Sequence, residues 1–371
     1  MRADIAVVGF GHVGRRFVRL IDERRDWLAL DFDLECRVVG VATKSRGSIA
    51  RAEGVDALGL AVAAEAGTRI GEPSSRGVGD AGASAGADVC ESSFDVIRRL
   101  AESDAPLKVL IETTTLDIAA GQPAIDHVRT ALQAGCHVVT ANKGPAAFAY
   151  EELNAMALDR GLAFLFEGAV MDGVPVFNLV RETLPAVDIR GFRGVINATT
   201  NHILTALEDG QSFDEALGRM QAEGIAEADP SLDIDGWDAA AKTAALANVF
   251  MRARMTPQAV EREGIGPGTA RAAMAARSKG ARVRLVASAR TTPSGVVTSV
   301  RPVELPEGDL LAGLRGQANA LVLQTDVLGE IAICQLSGSL TQTAYALLSD
   351  LVTIRRRQTP APHAASPDRT P

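Results

Sequence analysis

The stretch Ile5-Ala6-Val7-Val8-Gly9-Phe10-Gly11-His12-Val13-Gly14-Arg15-Arg16-Phe17-Val18-Arg19-Leu20-Ile21 decides the fold. Four apolar residues read as a buried strand, three glycines spaced G-x-G-x-x-G read as a turn, and Phe17, Val18, Leu20 and Ile21 then recur at helical spacing up to Arg25. Gly9 allows the tight bend, Gly11 lets a pyrophosphate approach the backbone, and Gly14 lets the helix lie close on the strand. Negative charge would then face the helix N-terminus. That assigns Gly9, Phe10, Gly11, His12, Val13 and Gly14 to a dinucleotide, with the His12 side chain facing solvent.

Outward from this unit, a polar, aspartate-rich turn leads to a second apolar strand, Arg37-Val38-Val39-Gly40-Val41-Ala42. Further strands at 108–112 and 137–140, separated by a helix over 123–134, continue the alternation and predict an α/β fold built on a doubly wound parallel sheet. At the end of the second strand stands Thr43-Lys44-Ser45-Arg46, with Arg51 close behind, and no carboxylate to hold a ribose 2′-hydroxyl. Two cations and two hydroxyls there suit a 2′-phosphate, so Lys44 and Arg46 are assigned to the cofactor and NADP is favoured over NAD.

Residues 67–88 are dense in Gly, Ala and Ser and read as a mobile surface insertion. After about residue 150 the rhythm changes. Strands at 163–167 and 191–197 and Ala-rich helices at 213–223 and 236–252 predict a second domain of α+β character. From Arg355 onward, proline and the lack of large apolar side chains predict a disordered tail with a solvated arginine end.

Of 371 residues 47% are hydrophobic and 23% charged, enough to bury a core in about two domains. A net charge of −8 repels nucleic acid and anionic membrane, leaving a small molecule as the expected partner. Cys36, Cys90, Cys136 and Cys334 are scattered, which indicates neither a disulfide framework nor a zinc site. The first strand leaves no room for a signal peptide and no run of 18 apolar residues exists, so a cytoplasmic protein is expected.

Lysine is used sparingly: five residues against thirty-three arginines. Arginine keeps its proton in a protein, whereas a lysine amine can be tuned to exchange one. Lys143 follows Thr140-Ala141-Asn142 at a strand end, and Lys242 lies four residues after Asp238. On a helix opening at Gly236, with Asp235 as its cap, Asp238 and Lys242 share one face. A surface ion pair is the bland alternative, worth about 0.3–0.5 kcal/mol, but the Ala- and Leu-rich flanks, with Asn248, Arg252 and Arg254 the other strongly polar residues, indicate burial. Glu227, Asp229, Asp233 and Asp235 crowd the segment before it, which suits a ligand ammonium; a divalent metal is the competing reading.

These segments together resemble homoserine dehydrogenase over residues 1 to about 352. The strings that carry the resemblance are the glycine turn, Thr140-Ala141-Asn142-Lys143, Glu167 through Pro175, Gly194-Val195-Ile196-Asn197-Ala198-Thr199-Thr200-Asn201-His202-Ile203-Leu204, and Glu227 through Lys242. The resemblance implies a Rossmann-type nucleotide domain (1–150), a catalytic and dimerisation domain (151–315), a C-terminal return to the nucleotide domain (316–354) and a tail (355–371). It implies interconversion of L-homoserine and L-aspartate 4-semialdehyde with NAD or NADP, in threonine and methionine biosynthesis, by a homodimer.

Carried over by motif, Lys242 would exchange the proton on the substrate oxygen and Asp238 would orient it. Glu227 and Asp233 would hold the substrate amino group, and Lys143 would sit between nicotinamide and substrate. Thr114, Thr115 and Gly338 would touch the cofactor. Glu167, with the main-chain carbonyls of Val170, Asp172 and Val174, would match a structural Na+ or K+ site.

Two departures stand out: Ala198 replaces the family's usual glycine, and the turn before Thr343-Ala344 keeps one glycine, Gly338. Neither an aspartate kinase portion nor a regulatory domain is expected. A relative acting on another amino or hydroxy acid is the alternative enzyme, and a dinucleotide-binding sensor without turnover the alternative class. Asp238 and Lys242 together speak against the sensor, which needs no tunable amine.

Overall fold

The computed structural model describes residues 1–70, 88–222 and 229–358. Among the described residues seven strands form the first sheet: β1 (Arg2–Val8), β2 (Glu35–Ala42), β3 (Ser48–Ala50), β4 (Asp88–Cys90), β5 (Leu107–Glu112), β6 (His137–Thr140) and β7 (Phe164–Leu165). Their order is β4-β3-β2-β1-β5-β6-β7, parallel from β2 to β7, with β3 and β4 added antiparallel at one edge. Strand order reverses between β1 and β5, which opens a crevice at the carboxyl ends of the strands. Continuous burial of β1 from Ala3 to Val8 explains its unbroken apolar run, since helices cover both faces.

A second sheet follows, made of β8 (Ile189–Val195), β9 (Glu261–Arg262), β10 (Ala281–Thr292), β11 (Gly295–Pro306), β12 (Asn319–Thr325) and β13 (Glu330–Gln335), in the order β13-β12-β8-β10-β11-β9. All its pairings are antiparallel except β9 with β11. Among the described residues the α-helices are α1 (His12–Glu23), α2 (Arg25–Phe32), α3 (Ala57–Glu65), α4 (Ser93–Ala101), α5 (Ala124–Gln133), α6 (Gly144–Asp159), α7 (Ala198–Glu208), α8 (Phe213–Ala222), α9 (Ser231–Ile234), α10 (Trp237–Met251), α11 (Pro267–Arg277) and α12 (Leu340–Arg357). Helix α12 lies back on α1, and its Ala344, Leu347, Leu348 and Leu351 share one core with Phe17, Val18 and Leu20. Among the described residues no helix is long and apolar enough to cross a membrane.

The structure corrects several expectations. The aspartate-rich turn before the second strand is helix α2; of its residues only Leu28 is buried, so it carries no apolar stripe to announce it. Phe164 and Leu165 are the parallel edge strand of the first sheet, and Glu167 has already left the strand for a 3₁₀ turn. The three arginines at 355–357 finish α12 instead of opening a tail. Cations suit the end of a helix, and Arg355 also pairs with Asp33 at 3.0 Å and Arg357 with Glu182 at 2.6 Å. Of the 67–88 insertion, Ile70 is buried and its amide donates to the Arg46 carbonyl, while Asp88 begins β4; residues 71–87 lie outside the described residues, as do 359–371.

Candidate active site

Each glycine of the first turn has its own geometric reason. Gly9 adopts φ +91°, and a Cβ there would stand 2.4 Å from the Thr113 carbonyl carbon. A Cβ on Gly14 would press Val7 Cγ1 at 3.0 Å, so this glycine sets the approach of α1 to β1. Gly11 differs: the nearest atom to its added Cβ is the Gly9 carbonyl oxygen at 3.7 Å, so its outer side is open. Gly11 is also the N-cap of α1 and no side chain caps the amides that follow. Free N–H groups beside an open backbone fit a pyrophosphate. Phe10 is buried in the core, so only its backbone can face a ligand, while His12 is exposed.

The basic turn after β2 is divided. Thr43 Oγ1 accepts the Arg46 amide at 2.8 Å and Lys44 stands exposed. The Arg46 guanidinium, assigned above to a 2′-phosphate, instead donates to the Ala64 carbonyl at the end of α3. Carbonyls of a helix's last turn are ready acceptors, and spacing along the sequence could not reveal this one.

At the carboxyl end of β5, Glu112 is fully buried and collects hydroxyls and an amide. It accepts from the Thr114 amide at 3.0 Å, from the Thr114 hydroxyl and from Thr140 Oγ1 at 2.9 Å. Thr114 therefore turns its side chain inward, whereas Thr115 is exposed. Asn142 Nδ2 donates to the Thr114 carbonyl at 3.0 Å and its Oδ1 accepts the Gly144 amide, which fixes Lys143 at the N-cap of α6. Contacts thus run without a break from Gly9 through Thr113 and Thr114 to Lys143.

Lys143 meets the second layer. Its Nζ lies 3.0 Å from Asp238 Oδ1, while Lys242 Nζ lies 2.9 Å from Asp238 Oδ2 and donates to the Ile196 carbonyl at 2.8 Å. The side chains of Lys143, Asp238 and Lys242 are only 19%, 15% and 15% exposed, so the surface-pair reading fails. Asp233 is joined to the group by Asn197, whose Nδ2 donates to Asp233 Oδ1 at 2.6 Å and to Asp238 Oδ2 at 3.0 Å. Asp235 does not cap α10. Gly236 does, in left-handed backbone at φ +79°, and Arg262 lies 3.8 Å over the Trp237 ring at the helix start. Glu227 lies outside the described residues.

Charge follows from this geometry. Burial opposes ionisation of Asp238, but Lys143 and Lys242 outweigh it and hold the carboxyl well below its ordinary range. Burial would likewise favour neutral Lys242, yet Asp238 prevails and the amine is raised above its ordinary value. Asp233 moves upward, through burial and then repulsion from Asp238. One ionised carboxylate between two ammonium groups, with a less acidic carboxyl beside it, can hold a zwitterion and hand a proton to an oxygen.

The expected cation ligands are largely committed elsewhere. Glu167 Oε1 accepts the amides of Val176 and Phe177 at 2.5 and 2.8 Å, and Oε2 that of Asn178 at 2.6 Å. Burial and the neighbouring Asp350 push its carboxyl up to about 7. Those amides take three of the acceptor positions on its two oxygens. The Val174 carbonyl accepts the Val176 amide at 2.9 Å, and Val170 ends the 3₁₀ turn. Asp172, in left-handed backbone, accepts Gln335 Nε2 at 2.8 Å and Thr343 Oγ1 at 3.0 Å, tying this loop to the start of α12. A Cβ on Gly338 would stand 2.8 Å from Asp172 Oδ2, so the retained glycine packs the turn on Asp172.

Sequence reading missed Asn197 and Glu112. An asparagine at a strand-to-helix junction before Thr199-Thr200 is an N-cap signal, and a carboxylate ending an apolar strand marks Glu112.

Comparison with known proteins agrees with this picture. A family model described as homoserine dehydrogenase matches residues 175–352, and one described as its NAD-binding domain matches 9–167. The chain is 35% identical over 356 residues to the NAD(+)-dependent homoserine dehydrogenase of Pseudomonas canavaninivorans, covering 96% of this chain and 97% of that protein. It is 33% identical over 352 residues to the homoserine dehydrogenase of Methanocaldococcus jannaschii, covering 95% and 98%. A homoserine dehydrogenase structure from Thiobacillus denitrificans is similar at TM-score 0.78 and 30% identity, covering 99% of this chain and 76% of that one. A hyperthermophilic archaeal homoserine dehydrogenase mutant in complex with NADPH is similar at TM-score 0.76 and 29% identity, covering 97% and 99%.

Proposed function

The chain belongs to the homoserine dehydrogenase family of NAD(P)-dependent oxidoreductases, and from that premise we propose that it interconverts L-homoserine and L-aspartate 4-semialdehyde where Lys143, Asp238 and Lys242 meet. The observation that carries this reading is the Asp238 carboxylate shared by two ammonium groups at the carboxyl ends of the first sheet, one contact chain away from the glycine turn. The bound nicotinamide would accept hydride from the hydroxyl-bearing carbon in one direction and return it in the other.

Everything else falls to the protein. Lys242 donates its proton to the aldehyde oxygen in reduction and takes one from the hydroxyl in oxidation, a contribution of about 10² to 10⁴ in rate. Asp238 holds that amine in place, and Lys143 neutralises charge on the cofactor side. Asp233, together with Glu227, binds the substrate ammonium, which stabilises the Asp233 carboxylate against its upward shift. A Na+ or K+ with a structural role, held with the carbonyls of Val170, Asp172 and Val174, is a further part of the proposal. A cytoplasmic homodimer serving threonine and methionine biosynthesis completes the proposal.

The test is a spectrophotometric assay of reduced nicotinamide with L-homoserine and either NADP or NAD; a folded preparation silent with both refutes the reading. Two further outcomes are expected. Because Lys242 is held protonated beyond its ordinary value, homoserine oxidation rises from pH 7 to 10, by up to about tenfold per unit, while aldehyde reduction stays level over the same range. Oxidation peaking near neutrality contradicts that assignment. NADP is favoured through Lys44, with Ser45 beside it and Arg46 engaged at α3. Lys44→Ala therefore raises KM for NADP about 10- to 100-fold and leaves KM for NAD unchanged, since a charge-assisted bond to phosphate contributes about 1.5–3 kcal/mol.

A further inference from the structure

Asn197 ends the segment after β8 and caps α7, accepting the Thr200 amide and hydroxyl on Oδ1, both at 2.9 Å. Those two bonds fix which end of the amide is oxygen, so its NH₂ must point the other way. There it finds Asp233 Oδ1 at 2.6 Å, at the end of α9, and Asp238 Oδ2 at 3.0 Å, in the first turn of α10. Asn197 is itself only 5% exposed. Neutral and buried, it presents one N–H to each of two carboxylates that belong to different helices.

A cap alone does not need this arrangement. Serine, threonine and aspartate cap helices about as well as asparagine, but none supplies two donors on the far side of its acceptor. Two carboxylates left without a shared donor repel, and the Asp233 side chain is free to turn away from Asp238. The charged groups around the pair are Lys143 from the N-terminus of α6, Lys242 from α10 and Asp172 from the loop after β7. Both lysines engage Asp238, and Thr199 stands beside Asp233.

We propose that Asn197 is a positioning residue that sets the distance between the carboxylate receiving the substrate ammonium and the lysine exchanging the substrate's proton, by bridging Asp233 and Asp238 through its side-chain NH₂. The inference rests on the function proposed above. It fixes the spacing that the enzyme reads between the amino and hydroxyl groups of its substrate, while dinucleotide binding is independent of it.

The experiment compares Asn197→Ser, Asn197→Asp and Asn197→Ala with the wild type, measuring KM and kcat for L-homoserine, Kd for NADP and thermal midpoint. Ser and Asp keep the cap and lose the bridge. The expected result is a homoserine KM raised about tenfold or more and kcat lowered about tenfold in Asn197→Ser, a larger loss in Asn197→Asp, and a cofactor Kd within about twofold in both. Near wild-type kinetics in the Ser and Asp variants, with damage confined to Asn197→Ala, reduce the residue to a helix cap and overturn the inference. So does loss of folding in both variants, since that makes the role structural. A wild-type enzyme that turns over homoserine while these variants match it refutes only the bridge; a wild type inert toward homoserine refutes the function itself.

Discussion

Lys242→Ala is expected to lower kcat for homoserine oxidation by at least about 10³-fold, or about 4 kcal/mol of barrier, with cofactor Kd within about twofold of wild type. The amine is the atom at the site best suited to proton exchange: it is held by one carboxylate and one carbonyl, at 2.9 and 2.8 Å. Lys242→Arg sharpens the test. It keeps the positive charge beside Asp238 but cannot release a proton, so it should remain nearly as inactive as alanine. Either variant turning over within about tenfold of wild type would place proton transfer on another group.

The second large effect concerns the glycine turn, where two substitutions of the same size should fail in different ways. Gly9→Ala drives a methyl to 2.4 and 2.5 Å from the Thr113 carbonyl carbon and the Thr114 amide nitrogen, main-chain atoms that cannot rotate aside, at a φ of +91°. Both the fold and the ligand site should suffer, with a thermal midpoint several degrees lower and cofactor binding weakened by about 100-fold or more. Gly11→Ala meets nothing closer than 3.7 Å within the protein. Its thermal midpoint should be unchanged, while cofactor Kd rises by about 10- to 100-fold because the methyl occupies the pyrophosphate's approach. Normal binding in Gly11→Ala would show that the pyrophosphate lies elsewhere.

Much of this was legible because the signals are local. Val7 and Val8 running into Gly9, Gly11 and Gly14 specify strand, turn and helix within about fifteen residues, and the Asp238–Lys242 spacing foretold a shared helix face. What escaped was partner choice. Nothing near Arg46 in sequence says that its guanidinium will find the Ala64 carbonyl eighteen residues on, in preference to a phosphate. Nor does the sequence near Glu167 say that three amides from residues 176–178 will donate to its oxygens. Asn197 carried a recognisable cap signal, but its second task depends on where α9 and α10 come to rest. Helix α2 was missed for another reason: with one buried residue it has almost no periodicity to read.

Helix α12 covers the apolar stripe of α1 from the opposite end of the sequence, with Leu347, Leu348 and Leu351 against Phe17, Val18 and Leu20. On the ribosome, the strand and turn that grip the dinucleotide therefore emerge more than 300 residues before the helix that shields them. The nascent half-protein must wait with that greasy surface bare, a state in which chaperones bind and proteases cut. A chain cut short before residue 340 lacks Leu347, Leu348 and Leu351, and leaves Phe17, Val18 and Leu20 without those neighbours.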